Sequence, residues 1–361
     1  MPRLPALTLF WRFFFGLLVA ALIPLLATWY FARNVTTDNA ERLAEARLRY
    51  EAAQIAWRAD GWLRLNFESL SEHADTIAMR SMLPELQRPV LIAIATHQPW
   101  TQLAFTVSPD GMSLARSDSL APINYADRPY FKTAMSGQPL GQIIAISRTT
   151  NRPAWIFGVP IKDEQGKVAG VLAKTNGLNE LTDQLANTRI GDTGRAILLF
   201  PDGKLAGMTG AVFDKDLRDW SKHPLFVERE NARGGKLSYK AEDGRATIAV
   251  LQPIRFGWLV AVQMDEAEVL QPVADTDRLM GVLLLVSTLL AATFAAIFAP
   301  GLSRPLVRLT TIADDMSRGH FDHEIPGTDR RDEIGALSRA IERMTRSLRL
   351  AMERLTKTEG A

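Results

Sequence analysis

Twenty-five consecutive residues, Leu279 to Ser303 (LMGVLLLVSTLLAATFAAIFAPGLS), carry no charge. At about 1.5 Å of rise per residue, a helix of that length exceeds the roughly 30 Å hydrocarbon core of a bilayer. The stretch is therefore expected to cross a membrane. A second uncharged run of 20 residues, Phe13 to Ala32, lies between Arg12 and Arg33. It could be a signal peptide with Arg3 and Arg12 as its basic region, but it is long and shows no A-x-A cleavage pattern. Trp29, Tyr30 and Phe31 at its far end fit an interfacial aromatic belt. Arg3 and Arg12 precede the first run, and Arg304 and Arg308 follow the second. That distribution predicts both termini in the cytoplasm and residues 33–278 outside.

The segment after the second run is amphipathic. Leu306, Leu309, Ile312, Ala313 and Met316 recur at helical spacing, Gly319 breaks the pattern, and Phe321, Ile325 and Pro326 follow. Ile334, Leu337, Ile341, Met344, Leu348, Ala351 and Leu355 then step by 3, 4, 3, 4, 3 and 4 residues. This is a heptad seam, which one helix cannot bury alone. The order of Pro305, Gly319, Ile325-Pro326 and Asp332-Glu333-x-Gly335 behind a membrane span resembles a HAMP linker, over about residues 302–355. The resemblance implies a parallel four-helix bundle built by two chains. Its relay positions would be Pro305, Gly319, Glu333, Gly335, Leu337, Ile341, Met344 and Leu348.

Between the spans, Thr37 to about Ile77 reads as one long helix with a stripe at Leu48, Ala52, Ile55, Trp62, Leu63, Phe67, Leu70, Ala74 and Ile77. After Pro84 and Pro89 the pattern becomes strand-like. Strands are predicted at 100–107, 112–115, 142–147, 153–159 and 168–174, with a short helix opening at Asp127-Arg128-Pro129. A second set follows at 196–200, 246–251 and 257–262. Ile190-Gly191-Asp192-Thr193-Gly194 reads as a turn, without the lysine of a phosphate-binding loop. The fold class expected is α+β: two antiparallel-sheet modules on a long helix, plus two membrane helices and the helical bundle.

This layout resembles the double Cache (dCache) sensor family, whose two PAS-like modules lie outside the bacterial membrane. The matching residues are Arg128-x-Tyr130-Phe131, Gly137, Ser147, Pro160-Ile161 and Gly170-Val171, then Ile190-Gly191-x-x-Gly194, Asp202-Gly203, Pro253-Ile254 and Trp258. The resemblance spans about 35–270 and implies a distal module near 80–180 and a proximal one near 185–268. The expected partition is a cytoplasmic N-terminus (1–12), a first span (13–32), a periplasmic sensor (33–278), a second span (279–303) and HAMP (304–357). Relatives bind small carboxylates, amino acids or amines in the distal module.

The most pointed cluster is Tyr125, Asp127, Arg128, Tyr130 and Phe131. A guanidinium offers a forked donor to a carboxylate, and aromatics can wall a pocket. The bland reading is an arginine paired with Asp127 or stacked on core aromatics. Ser147, Trp155 and Thr175, from the following strands, are expected to converge on the same cavity. The amino-acid-binding subgroup has Trp-Tyr where this chain has Tyr130-Phe131, and an aspartate near Thr175. A simple carboxylate or a neutral polar ligand is therefore favoured over an amino acid.

The chain contains no cysteine, which removes disulfides and thiolate zinc sites. Its five histidines show no metal-ligating spacing, and a net charge of +2 without a basic aromatic patch gives no sign of nucleic-acid binding. No cofactor is expected. Nucleophile elbow, cyclase and kinase ATP-lid motifs are all missing, and six residues after Leu355 leave no room for a catalytic output domain. The reading is a non-enzymatic, homodimeric inner-membrane sensor that passes a ligand signal to a cytoplasmic output partner. Its rivals are the input half of a histidine kinase, cyclase, phosphatase or methyl-accepting chemoreceptor, and an exported ligand-binding protein.

Overall fold

The computed structural model describes residues 9–186, 190–231, 235–320 and 322–359. In chain order, α1 (Leu9–Ala74), α2 (Ile77–Arg80) and α3 (Pro84–His97) precede β1 (Thr101–Val107) and β2 (Ser113–Arg116). Then come α4 (Pro129–Met135), β3 (Gly141–Ile146), β4 (Pro153–Lys162), β5 (Val168–Gly177) and α5 (Leu178–Ala186). The second half holds β6 (Arg195–Leu199), β7 (Leu205–Met208), α6 (Pro224–Val227), β8 (Lys236–Lys240), β9 (Ala246–Pro253), β10 (Leu259–Asp265) and α7 (Glu266–Val269). Two helices close the chain, α8 (Gln271–Ser317) and α9 (Glu333–Glu359). The chain divides into two compact units, 38–272 and the pair of segments 1–37 with 273–361.

In the second of these units, parts of α1 and α8 are long and apolar enough to cross a membrane. In lipid no water satisfies a stray polar group, so hydroxyls must bond within the helix. Thr28 Oγ1 donates to the Pro24 carbonyl at 2.8 Å, Thr288 to Leu284 at 2.6 Å and Thr293 to Leu289 at 2.8 Å. At the outer ends of the apolar runs, Asp277 accepts from Trp29 Nε1 at 3.0 Å and pairs with Arg33 at 3.4 Å.

Further along the same unit, Leu309, Ile312 and Met316 of α8 pack with Ile325 and Ile334, and Ile341 borders the cluster. The membrane run and the first amphipathic segment are one continuous helix, since Pro305 lies inside α8 and no new helix starts there. Gly319 takes φ +92°, a conformation that turns the chain away from α8. Asp332 accepts from the Gly335 N–H at 2.9 Å, capping α9, and its ion pair with Arg330 holds that carboxyl down at about 2. A Cβ on Gly335 would lie 2.1 Å from the Arg330 carbonyl oxygen, so glycine is required. Glu333 opens α9. Ile334, Ser338 and Thr345 are buried, whereas Leu337, Met344 and Leu348 are 44%, 48% and 43% exposed. The helix thus has one apolar stripe against its own chain and another facing outward. Phe321 and the side chains of Ala351 and Leu355 lie outside the described residues.

In the unit 38–272, two five-stranded sheets share one order, β2-β1-β5-β4-β3 and β7-β6-β10-β9-β8, with every neighbouring pair antiparallel. The long helix expected from Thr37 to Ile77 is part of α1, which ends at Ala74; Thr76 then caps α2. Several elements fall outside the sequence expectation, α3, β7 and β8 among them. α3 forms around Pro89 because Pro84 occupies its first turn and Gln87, Leu91 and Ile94 are buried beneath it. β7 has only four residues, and β8 is an edge strand with lysines at both ends, a pattern that discourages edge pairing and hides strand periodicity.

The two modules meet at Gln142. Its Oε1 accepts from Trp155 Nε1 at 3.3 Å and Trp258 Nε1 at 3.0 Å, and its Nε2 donates to the Phe256 carbonyl at 3.0 Å. The two indoles meet edge to face at 5.3 Å.

Candidate functional site

Side chains of a strand alternate between faces, so the distal sheet has two distinct surfaces. One carries Leu103, Phe105 and Val107 of β1, Ala145 of β3, Ala154 and Ile156 of β4, and Val171 and Ala173 of β5. Tyr125, Tyr130, Phe131 and Ala134 close over it from the β2–α4 loop and from α4. Pro129, in the first turn of α4, suits a helix that starts at once behind Arg128. Gly141 lets α4 approach, since a Cβ there would lie 1.9 Å from the Tyr130 carbonyl oxygen.

Tyr130 is fully buried and its hydroxyl has no hydrogen-bond partner among the described residues. Burial pushes its pKa well above the usual phenol value, so it stays a neutral donor and acceptor. Tyr125 lies between it and Phe105, with ring centroids 6.4 Å and 4.8 Å away. An unmet polar group inside an aromatic cluster is the kind of feature a ligand or water satisfies.

Two arginines that the sequence reading did not single out border the cluster. Arg116, with only 4% of its side chain exposed, donates through Nε and Nη2 to both Asp118 oxygens at 2.7 Å. It also reaches Tyr125 Oη at 3.1 Å and Thr149 Oγ1 at 3.0 Å. Burial opposes its charge, but Asp118 and Tyr125 outweigh that, and its pKa is raised. Arg148 pairs with Asp127 at 2.7 Å, donates to the Asn124 carbonyl and stands 6.0 Å from the Tyr125 ring centre. The hydrogen bond from Arg148 holds the Asp127 carboxyl below its ordinary range.

Arg128 is half-buried at the start of α4, and its guanidinium has no hydrogen bond or ion pair among the described residues. Asp127 is therefore spoken for by Arg148, not by Arg128. Ser147 is buried, and its hydroxyl accepts from the Thr149 and Thr150 N–H groups at 3.3 Å. Thr175 is buried opposite Leu103 and Ile156, on the same face as Tyr130. Trp155 is not. It lies on the other face, stacked on Phe157 at 4.0 Å and close to Trp62 and Trp258, so the expected convergence fails for this residue. The reason is parity along β4: Ile156 takes the inward position and its neighbour must point away. Arg116 could have been found from its place in a strand, as a charge among alternating apolar residues.

In the proximal module, Glu268 accepts from Asp192 N, Thr193 N and Thr193 Oγ1 at 2.9, 2.8 and 2.5 Å. The Gly191–Gly194 segment is thus a turn tied down by α7. No group of residues able to hold a metal ion occurs among the described residues.

A model of the Cache domain family (dCache_1) matches residues 32–273, two thirds of the chain. The chain belongs to the Cache domain family. A HAMP domain model matches residues 301–350, so the protein is a dCache–HAMP sensor. Both modules serve sensing and signalling rather than catalysis. The extracellular domain of rpHK1S-Z16, named as a histidine kinase, is similar at 19% identity with a TM-score of 0.58, covering 63% of this chain and 97% of that one. The ligand-binding domain of the Pseudomonas fluorescens chemoreceptor CtaA with L-leucine is similar at 17% identity and a TM-score of 0.52, covering 64% and 99%. That of the Pseudomonas aeruginosa amino-acid chemoreceptor PctB with L-Arg is similar at 19% and 0.51, covering 62% and 96%. At these identities the likeness establishes the Cache fold.

Proposed function

We propose that the dCache domain binds a small carboxylate outside the inner membrane and that HAMP relays the change to a cytoplasmic output partner. The observation that carries the carboxylate is charge arithmetic around the aromatic cluster. Arg116 and Arg148 are each matched by an aspartate, which leaves Arg128, at the start of the helix that carries Tyr130 and Phe131, without an ion pair among the described residues. The partnerless Tyr130 hydroxyl supplies a second polar contact within that cluster. CtaA and PctB were captured with amino acids. Here Thr175 stands opposite Leu103 and Ile156, and the acids described beside the cluster, Asp118 and Asp127, are already paired with Arg116 and Arg148.

The test is calorimetry of the full-length protein in nanodiscs against acetate, propionate, pyruvate and succinate, with L-leucine and L-arginine alongside. Losing one charge-assisted hydrogen bond costs about 1.5–3 kcal/mol, so Arg128→Ala should weaken a carboxylate about ten- to a hundredfold. Binding of amino acids alone, or unchanged carboxylate affinity in Arg128→Ala, overturns the reading.

The relay is read as homodimeric. Leu337, Met344 and Leu348 form an exposed heptad stripe on α9. On α1 a second such stripe, Leu43, Ala46, Tyr50, Ala53 and Trp57, has Leu43, Tyr50 and Trp57 exposed by 71%, 64% and 77%. Two stripes of coiled-coil spacing favour pairing with a second copy of the chain.

A further inference from the structure

Lys174 is fully buried on β5, on the sheet face opposite Thr175. Its Nζ donates to Asn66 Oδ1 on α1 at 2.7 Å and to Gln98 Oε1 at the end of α3. Asn66 Oδ1 also accepts from Trp100 Nε1 at 2.9 Å and Asn176 Nδ2 at 3.1 Å, and Gln98 Nε2 donates to Ser69 Oγ at 3.1 Å. The lysine thus anchors a buried polar network between α1 and the distal sheet.

No carboxylate among the described residues takes part. The titratable groups on this stretch of α1 are Asp60, paired with Arg255, Arg64 and Glu68, which are exposed and paired at 3.5 Å, Glu72, which is exposed, and His73, bonded to the Ser69 carbonyl. His97, at the end of α3, is exposed and bonded to the Ala93 carbonyl. β1 has no titratable residue, and β4 has only Lys162 at its exposed end. A neutral amine has two N–H donors, and two amide oxygens receive them. An ammonium has a third, for which the favourable neighbour among the described residues is the Phe157 ring, 5.8 Å away at its centre.

We propose that Lys174 is a proton-operated latch between α1 and the distal sheet. Neutral, it completes the Asn66–Gln98–Trp100 network; protonated, it places an unmatched charge in that seam and loosens α1 from β5. External acidification would then act on the helix that carries the first membrane span, whatever the ligand. Burial alone depresses the Lys174 pKa from its ordinary 10.5 to about 7, which puts the switch within the range an exposed compartment experiences.

The experiment is hydrogen–deuterium exchange of the full-length protein in nanodiscs between about pH 5.5 and 8.5, corrected for intrinsic rates. Peptides from residues 60–75 should lose protection as pH falls through about 7 in the wild type. Lys174→Met, which cannot be charged, should show protection in these peptides that no longer changes with pH. Lys174→Arg, permanently charged, should show the low-pH pattern throughout, so either variant serves if the other does not fold. Protection that is flat across the range in the wild type, or an unaltered pH response in either variant, overturns the latch. Neither readout involves the carboxylate site.

Discussion

Asp60 on α1 grips Arg255 with both carboxylate oxygens, at 2.8 Å to Nε and 2.8 Å to Nη2, and also accepts the Arg255 backbone N–H at 3.0 Å. One side chain thereby fixes the tip of the β9–β10 hairpin on the long helix. Phe256 beside it takes φ +59°, a costly conformation outside glycine, and packs its ring on Phe67 at 5.2 Å.

Asp60→Asn should destabilise the protein by about 1 kcal/mol at neutral pH, since the pair is partly exposed but bidentate. The hydrogen bond from Arg255 holds the Asp60 pKa below 3.8. A depressed acid contributes its stability above the unfolded pKa and loses it as pH falls through the folded one. The difference between wild type and variant, read by chemical denaturation, should therefore hold at pH 7 and shrink only in acid below 3.8. A difference that is constant with pH would assign Asp60 a purely steric role.

Lys174 makes the opposite kind of contribution. Its folded pKa of about 7 lies below the 10.5 of the free side chain, so the unfolded state binds more protons between those values. Stability should rise with pH across that window and level off below it. Lys174→Met should flatten the rise in a denaturation series, and a parallel rise in the variant would point to another group.

On α9, the exposed heptad positions predict an interchain seam. The natural chain has no cysteine, so single cysteines report cleanly. Met344→Cys should cross-link between chains much more readily than Arg343→Cys, and Trp57→Cys on α1 should cross-link as well. Equal yields at positions 343 and 344 would mean that the outward stripe meets something other than its own copy.

Topology is open to the same approach. Ser117→Cys, in the distal module, should react with an impermeant thiol reagent in intact cells, whereas Thr358→Cys should react only after permeabilisation. Equal labelling of the two would contradict the arrangement read from the arginines.

The two long apolar helical runs, the heptad spacing on α9 and the two-module layout were legible because each is a one-dimensional pattern. An uncharged run, a 3-4 repeat and strand alternation state which residues must leave water, and the hydrophobic effect enforces them wherever the chain goes. The sequence likewise marked Tyr125, Arg128, Tyr130 and Phe131, which lie close together in the chain on one loop and one short helix. Only the tertiary structure decided what meets across strands. It sent Trp155 to the face away from Tyr130, because neighbouring residues in β4 point to opposite sides. It paired Asp127 with Arg148 rather than Arg128 and brought Arg116 beneath Tyr125. It also joined buried Lys174 to Asn66, 108 positions earlier. Such contacts are set by sheet register and by the closing of α1 over the strands, and neither is written in the local spacing of residues.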